Sequence, residues 1–160
     1  MTIRRATLQD KEQIVKLVTE FDDYFSKNQL FSPVLLPFTR YKNKSKLFKD
    51  VVKDWLKDTN TFVFVAENND ELVGHIVGSI QEKPDRIVDK EGSIDEWFVT
   101  GSLRNQGLGK QLYDVLLKVF KEQSCNHIGL KVYAVNKKTI DMYHKMGFLD
   151  LEMTMVKEID

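Results

Sequence analysis

Apolar residues recur along this chain with two periods, and the switches between them delimit its elements. Ile14, Leu17, Val18 and Phe21 repeat at the spacing of one helix face, and Asp10 stands where it could cap that helix. Before it, Thr2 to Ala6 reads as a short strand. Leu47, Phe48, Val51, Val52 and Trp55 form a second stripe, which predicts a helix over 45–57. Between the two helices, Pro33 and Pro37 each push the preceding residue away from helical backbone, so 32–40 is expected as an extended connector.

The period then shortens. Residues 61–66 and 72–80 are rich in β-branched and aromatic side chains, and Asn68, Asn69 and Asp70 supply a turn between them, which predicts a β-hairpin. A polar loop over 81–92 leads to a strand over 93–99. Gly101 precedes a long amphipathic helix over 106–123, with Leu108, Leu112, Val115, Leu116, Val119 and Phe120 on one stripe. A strand at 127–132 and a helix at 137–146 follow; Gly147 stops that helix, and Phe148 begins a final strand. The order β-α-α-β-β-β-α-β-α-β combines hairpin and βαβ segments, which implies an α/β (mixed α+β) fold with a mixed sheet and helices on both faces.

Composition narrows this picture. At 160 residues and 42% hydrophobic, with no repeat or linker, the chain reads as a single domain over 1–160. Its 24 basic and 24 acidic residues leave no basic excess, so no nucleic-acid partner is expected. The run Lys42, Lys44, Lys46 and Lys49 reads as a solvated helix face rather than an anion site. One cysteine, Cys125, excludes an internal disulfide; with no activating neighbour it reads as a packed thiol, and a reducing compartment follows. No stretch approaches the roughly 20 apolar residues of a membrane span, and the N-terminus lacks a signal-peptide core, so a soluble cytoplasmic protein with no membrane partner is expected. His75, His127 and His144 lack ligand spacing, and no metal is expected.

The most informative stretch is the strand ending at Phe98-Val99, a short loop, and a helix start containing Gly107 and Gly109. The first turn of a helix has amide N–H groups without intrahelical partners and a partial positive charge. Glycines let an anion approach those amides, and Arg104 and Lys110 add charge, so the site suits a pyrophosphate. It is not a Walker A loop, because Gln111 follows Gly109-Lys110 and Arg104 stands where the first glycine belongs. It is not a Rossmann fingerprint, which requires a third glycine and an early strand.

Arg104-x-x-Gly107-x-Gly109 resembles the acyl-CoA-binding signature of GNAT-type N-acetyltransferases. Asn136-x6-Tyr143-x3-Gly147-Phe148 is similar to the second hallmark of that family. The resemblance implies the GNAT acyl-CoA N-acyltransferase fold, with a central sheet of about six or seven strands. It implies acetyl-CoA as co-substrate: backbone groups of Trp97, Phe98 and Val99 pair with the pantetheine arm, and amides of Asn105, Gln106, Gly107, Leu108, Gly109 and Lys110 hold the pyrophosphate beside Arg104. Asn136 hydrogen-bonds the pantetheine or acetyl end, Tyr143 protonates the leaving thiolate, and a homodimer is common in the family.

Attack of an amine on a thioester needs a neutral amine, hence a base, and a donor for the oxyanion, which a backbone N–H on the strand ending at Val99 can supply. Glu96, ahead of Asp95, is the base candidate; in a regular strand the two point to opposite faces, although a bulge would change that. Plainer roles stand beside these: an exposed strand-end carboxylate for either acid, a core aromatic for Tyr143, an N-cap for Asn136, an ordinary turn for the glycines. Asp22, Asp23 and Tyr24, with Glu20, Phe21 and Phe25 around them and Asp85, Asp89 and Glu91 in the later loop, suit a cationic acceptor. The reading is an acetyl-CoA-dependent N-acetyltransferase acting by direct attack of a primary amine in a ternary complex, the acceptor being a small cationic amine or a peptide or protein amine. The alternative is a non-catalytic acyl-CoA-binding regulatory module, which has no use for the groups at 95, 96 and 143.

Overall fold

Asn69 and Asp70 both take left-handed backbone, with φ of 50° and 63°. Two such residues make the hairpin turn whose twist matches the flanking strands, and Asn and Asp tolerate it better than other side chains. They join β2 (Thr61–Asn68) to β3 (Glu71–Glu82). The computed structural model describes residues 1–27 and 31–159. The remaining elements are β1 (Thr2–Arg5), α1 (Lys11–Lys27), α2 (Lys44–Lys57), β4 (Lys90–Val99), α3 (Leu108–Glu122), β5 (His127–Leu130) and α4 (Lys137–Lys145). The strands lie in sequence order in one sheet; the first three pairings are antiparallel, and β5 runs parallel to β4. Returning parallel to β4 requires a crossover, and α3 provides it.

The chain forms two compact units: Met1–Asp23 with Asn43–Lys131, and Tyr24–Lys42 with Val132–Asp160. In the first unit, Val63, Val65, Val77 and Phe98 on one sheet face meet Ile14, Val15, Leu17 and Val18 of α1 and Phe48 and Val52 of α2. The opposite face carries α3, whose Leu108, Leu112, Leu116 and Phe120 are buried. A Cβ at Gly78 would lie 2.7 Å from Leu116 and Phe120, and one at Gly92 2.6 Å from Phe120. Glycine there lets α3 rest directly on the strand backbones. Helices thus cover both faces, as the element order predicts.

Four details depart from the sequence reading. The N-cap before α1 is Thr7, at the head of a 3-10 turn (Leu8–Asp10), and Asp10 is the buried third residue of that turn. Its carboxylate accepts from the Thr7 N–H (2.7 Å) and from both Arg4 Nη groups (2.8 and 2.9 Å), so it ties the turn back to the end of β1. The connector is not extended throughout: Leu36–Thr39 is a 3-10 turn with Pro37 in its first turn, where a missing N–H costs nothing. β3 and β4 run into the expected 81–92 loop and shorten it to 83–89, closed by a Lys83 N–H to Asp89 carbonyl bond of 2.6 Å.

The fourth is the sheet, which has five strands among the described residues rather than six or seven. Residues 149–159 form no ladder among those residues. Leu149, Leu151, Met153 and Met155 alternate with polar residues, and alternation alone selects extended backbone, not a pairing partner.

The second unit is organised by α4 and an aromatic group. Phe25, Phe31 and Tyr133 meet edge-on or tilted, with ring centroids 4.9 to 6.4 Å apart.

Candidate active site

The register between β3 and β4 shifts once. Val77 pairs with Glu96 and Gly78 with Ile94, which leaves Asp95 as the extra residue of a β-bulge. Ile94 therefore faces α3 with Gly78, and Glu96 faces α1 and α2 with Val77. Asp95 is exposed, and its carboxylate accepts from Ser93 Oγ at 2.7 Å. The Glu96 side chain is only 13% exposed, and its Oε1 lies 2.6 Å from Nε2 of fully buried His75. The two acids thus occupy different environments because of the bulge, not merely opposite faces of a regular strand. Sequence reasoning tested His75 only as a metal ligand; its pairing with Glu96 depends on strand register, which no local pattern encodes.

Among the described residues, the β4–β5 ladder ends at the bulge. It runs from Glu91↔His127 to Ile94↔Leu130. Trp97, Phe98 and Val99 pair with Ile76, His75 and Gly74 of β3 and lie beyond the β4–β5 ladder. Trp97 points to the α3 face and stacks on Tyr113, with centroids 5.5 Å apart and planes at 19°. Arg104 braces the strand end: its Nε donates to the Val99 carbonyl at 2.9 Å, and its guanidinium lies 5.2 Å from the Phe98 ring centroid.

From there the chain makes a 3-10 turn (Gly101–Leu103) and passes two left-handed residues, Asn105 (φ 63°) and Gly107 (φ 80°). Gly107 is the N-cap of α3 and supplies no side-chain cap, and that turn carries no acidic residue. Open amides, the helix dipole and an absence of negative charge fit an anion at this terminus. The two glycines have separate reasons. A Cβ at Gly107 would meet nothing within 4 Å, so its backbone angle is what requires glycine. A Cβ at Gly109 would sit 3.5 Å from Trp97, an ordinary contact, so the fold leaves room for a side chain there. Lys110 shares its charge with Asp114, with Nζ to carboxylate distances of 2.6 and 2.9 Å.

Asn136 and Tyr143 belong to the second unit. Asn136 starts α4 with its carbonyl, which accepts from the Thr139 and Ile140 N–H groups, while its side chain makes no capping bond. The cap role therefore falls to backbone and leaves the amide to other work. Burial raises the Tyr143 phenol above its ordinary value, which keeps it a neutral donor. Asp22 and Asp23 both bind Lys44, at 3.0 and 2.6 Å, so their charge is partly neutralised. Tyr24, in the second unit, packs edge-on against Phe25 at 5.8 Å. Among the described residues no cluster of three or more His, Cys, Asp or Glu side chains could hold a metal, and no helix is long and apolar enough to cross a membrane.

Comparison with known proteins bears on this geometry. The model of the Acetyltransferase (GNAT) family matches residues 21–148. An N-alpha-acetyltransferase of Sulfurisphaera tokodaii is 26% identical over 159 residues, covering 94% of this chain and 81% of that protein. Human N-acetyltransferase 8 is 25% identical over 114 residues, 70% of this chain, and the match spans only half (50%) of the human protein. An aminoglycoside N-acetyltransferase solved in complex with CoA superposes with a TM-score of 0.71 at 15% identity, over 99% of each chain. With a family match over four-fifths of its length, the chain belongs to the GNAT family of acetyltransferases.

Proposed function

We propose that this chain transfers the acetyl group of acetyl-CoA to a primary amine by direct attack within a ternary complex. The observation that carries the reading is the bulge at Asp95, which turns the Glu96 carboxylate to the α1 and α2 face immediately before Trp97 to Val99, the segment of β4 beyond the end of its ladder with β5. That segment would pair with the pantetheine arm as an added strand, the amides of 105–110 would hold the diphosphate with Arg104 near, and the Asn136 amide would bind the pantetheine or acetyl end. Acetyl-CoA supplies an activated acyl carbon and a thiolate leaving group.

Glu96 accepts a proton from the ammonium form of the acceptor, directly or through water, and the neutral nitrogen attacks the thioester carbon. A backbone N–H of the strand ending at Val99 donates to the developing oxyanion. The C–S bond breaks, the Tyr143 phenol gives its proton to the thiolate, the attacking nitrogen loses its second proton to solvent, and an N-acetyl amide and CoA leave. Solvent then removes the proton from Glu96 and restores the one on Tyr143. Exposed Asp95, held by Ser93, is the less favoured base.

The acceptor is a small cationic amine or a peptide or protein amine. In support, one relative is an N-alpha-acetyltransferase and one fold neighbour an aminoglycoside acetyltransferase. The test is CoA thiol release with spermidine, kanamycin, a short peptide with a free N-terminus, and glutamate. Turnover of a cationic or peptide amine is expected; preference for the acidic acceptor overturns the acceptor class. Absence of CoA binding by calorimetry overturns the whole reading.

A further inference from the structure

The contact between His75 and Glu96 is more than a neighbouring pair, because the surroundings of the ring leave only one of its nitrogens a partner. His75 is on β3, fully buried, opposite Phe98 on β4 and Val65 on β2. Its Nδ1 is buried and has no hydrogen-bond partner among the described residues. A neutral imidazole has one N–H and one bare nitrogen, whereas the imidazolium has two N–H groups. A proton on Nδ1 would leave a buried donor unmet, the rarer and costlier defect; a bare Nδ1 leaves only an unmet lone pair. The arrangement that leaves no buried donor unmet has the ring proton on Nε2, given to Glu96 Oε1 at 2.6 Å.

We propose that His75 is a positioning residue for Glu96. Its single N–H fixes one carboxylate oxygen and so the rotamer of a flexible side chain, and turns the other oxygen, Oε2, to the incoming amine. The Phe98 ring, 6.2 Å from that of His75 and packed on Phe21, shields the pair on one side. His75 itself has no exposed surface from which to reach a substrate. The inference rests on Glu96 acting as the base.

Two experiments decide it. The first needs no acceptor: ¹⁵N NMR of the histidine rings in the intact protein at neutral pH. A pyrrole-like Nε2 and a pyridine-like Nδ1 are expected for His75, with the Nε2–H signal displaced in Glu96→Gln. An imidazolium, the opposite tautomer, or an Nε2–H indifferent to Glu96→Gln overturns the proposal. The second compares His75→Phe and His75→Gln by CoA release with spermidine and with a free-N-terminus peptide. His75→Phe should lower kcat by roughly 10- to 100-fold with KM for acetyl-CoA unchanged, the scale of a misplaced catalytic group, and His75→Gln, which restores a donor, should recover most of it. Full turnover in His75→Phe while Glu96→Gln is impaired overturns the positioning role and leaves the base in place. Full turnover in Glu96→Gln removes the base assignment, and the positioning role with it. Calorimetry with CoA on each variant reports whether the fold is intact, and a His75→Phe variant that still binds CoA makes the kinetic comparison binding.

Discussion

Phe148 and Tyr143 are joined twice at the end of α4: the Phe148 N–H donates to the Tyr143 carbonyl at 3.1 Å, and their rings lie 5.7 Å apart. With Gly147 (φ 92°) donating to the His144 carbonyl at 2.9 Å, this is a Schellman motif with its usual apolar clasp. The Tyr-x3-Gly-Phe spacing is thus a helix stop in its own right, whatever Tyr143 does chemically. Gly147→Ala should cost about 1–2 kcal/mol through left-handed strain, read as a lower denaturant midpoint. An unchanged midpoint would show that this cap contributes nothing.

The same cap closes α3 without a glycine. Ser124 has φ of 63°, its N–H donates to the Lys121 carbonyl at 3.0 Å, and the Cys125 N–H donates to Phe120 at 2.9 Å. Ser124→Gly should stabilise by about 0.5–1 kcal/mol, the strain relieved less the extra freedom of the unfolded chain. A lower melting temperature would contradict this account.

Asp10 gives the fold an acid-sensitive anchor. Hydrogen bonds from Arg4 hold its carboxyl down at about 2, below the ordinary 3.8. A carboxyl with a lowered folded value stabilises above its unfolded pKa and ceases to do so as pH falls through the folded one. Roughly 2 kcal/mol should therefore be present above about pH 4 and fade toward pH 2. Denaturation of wild type and Asp10→Asn across that range checks it: the stability gap should narrow on acidification, and a constant gap refutes the linkage.

Gly109→Ala separates folding from binding at the start of α3. The backbone has room for the methyl, and alanine is the better helix residue by up to about 1 kcal/mol, so stability should hold or rise. The methyl would stand over amides assigned to the diphosphate, so KM for acetyl-CoA should rise about tenfold, the effect of losing roughly 1.4 kcal/mol of binding. An unchanged KM would move the diphosphate elsewhere.

What the sequence showed and what it hid divide along physical lines. The stripes of α1, α2 and α3 and the Asn69-Asp70 turn are local signals, and each marks a real element. The bulge at Asp95 is not local: it exists only relative to β3, and so does the meeting of His75 with Glu96 across 21 positions. The end of α3 fell where the apolar stripe runs out, but Ser124 gave no glycine to announce its left-handed cap. Phe148 onward reads as a final strand, yet a strand exists only with a neighbour to bond, and residues 149–159 have no ladder among the described residues.

Gly78 and Gly92 carry one further consequence. They give α3 a bare floor of peptide backbone, which cannot turn aside to make space as a side chain can. A methyl at either position could be accommodated only by raising Leu116 and Phe120, and the rod they belong to is stiff from end to end. Its other end presents the open amides at Leu108 to Lys110. Two residues without any chemistry of their own thereby set how closely α3 approaches the sheet, and substitutions there would be felt at the proposed diphosphate cradle as a tilt.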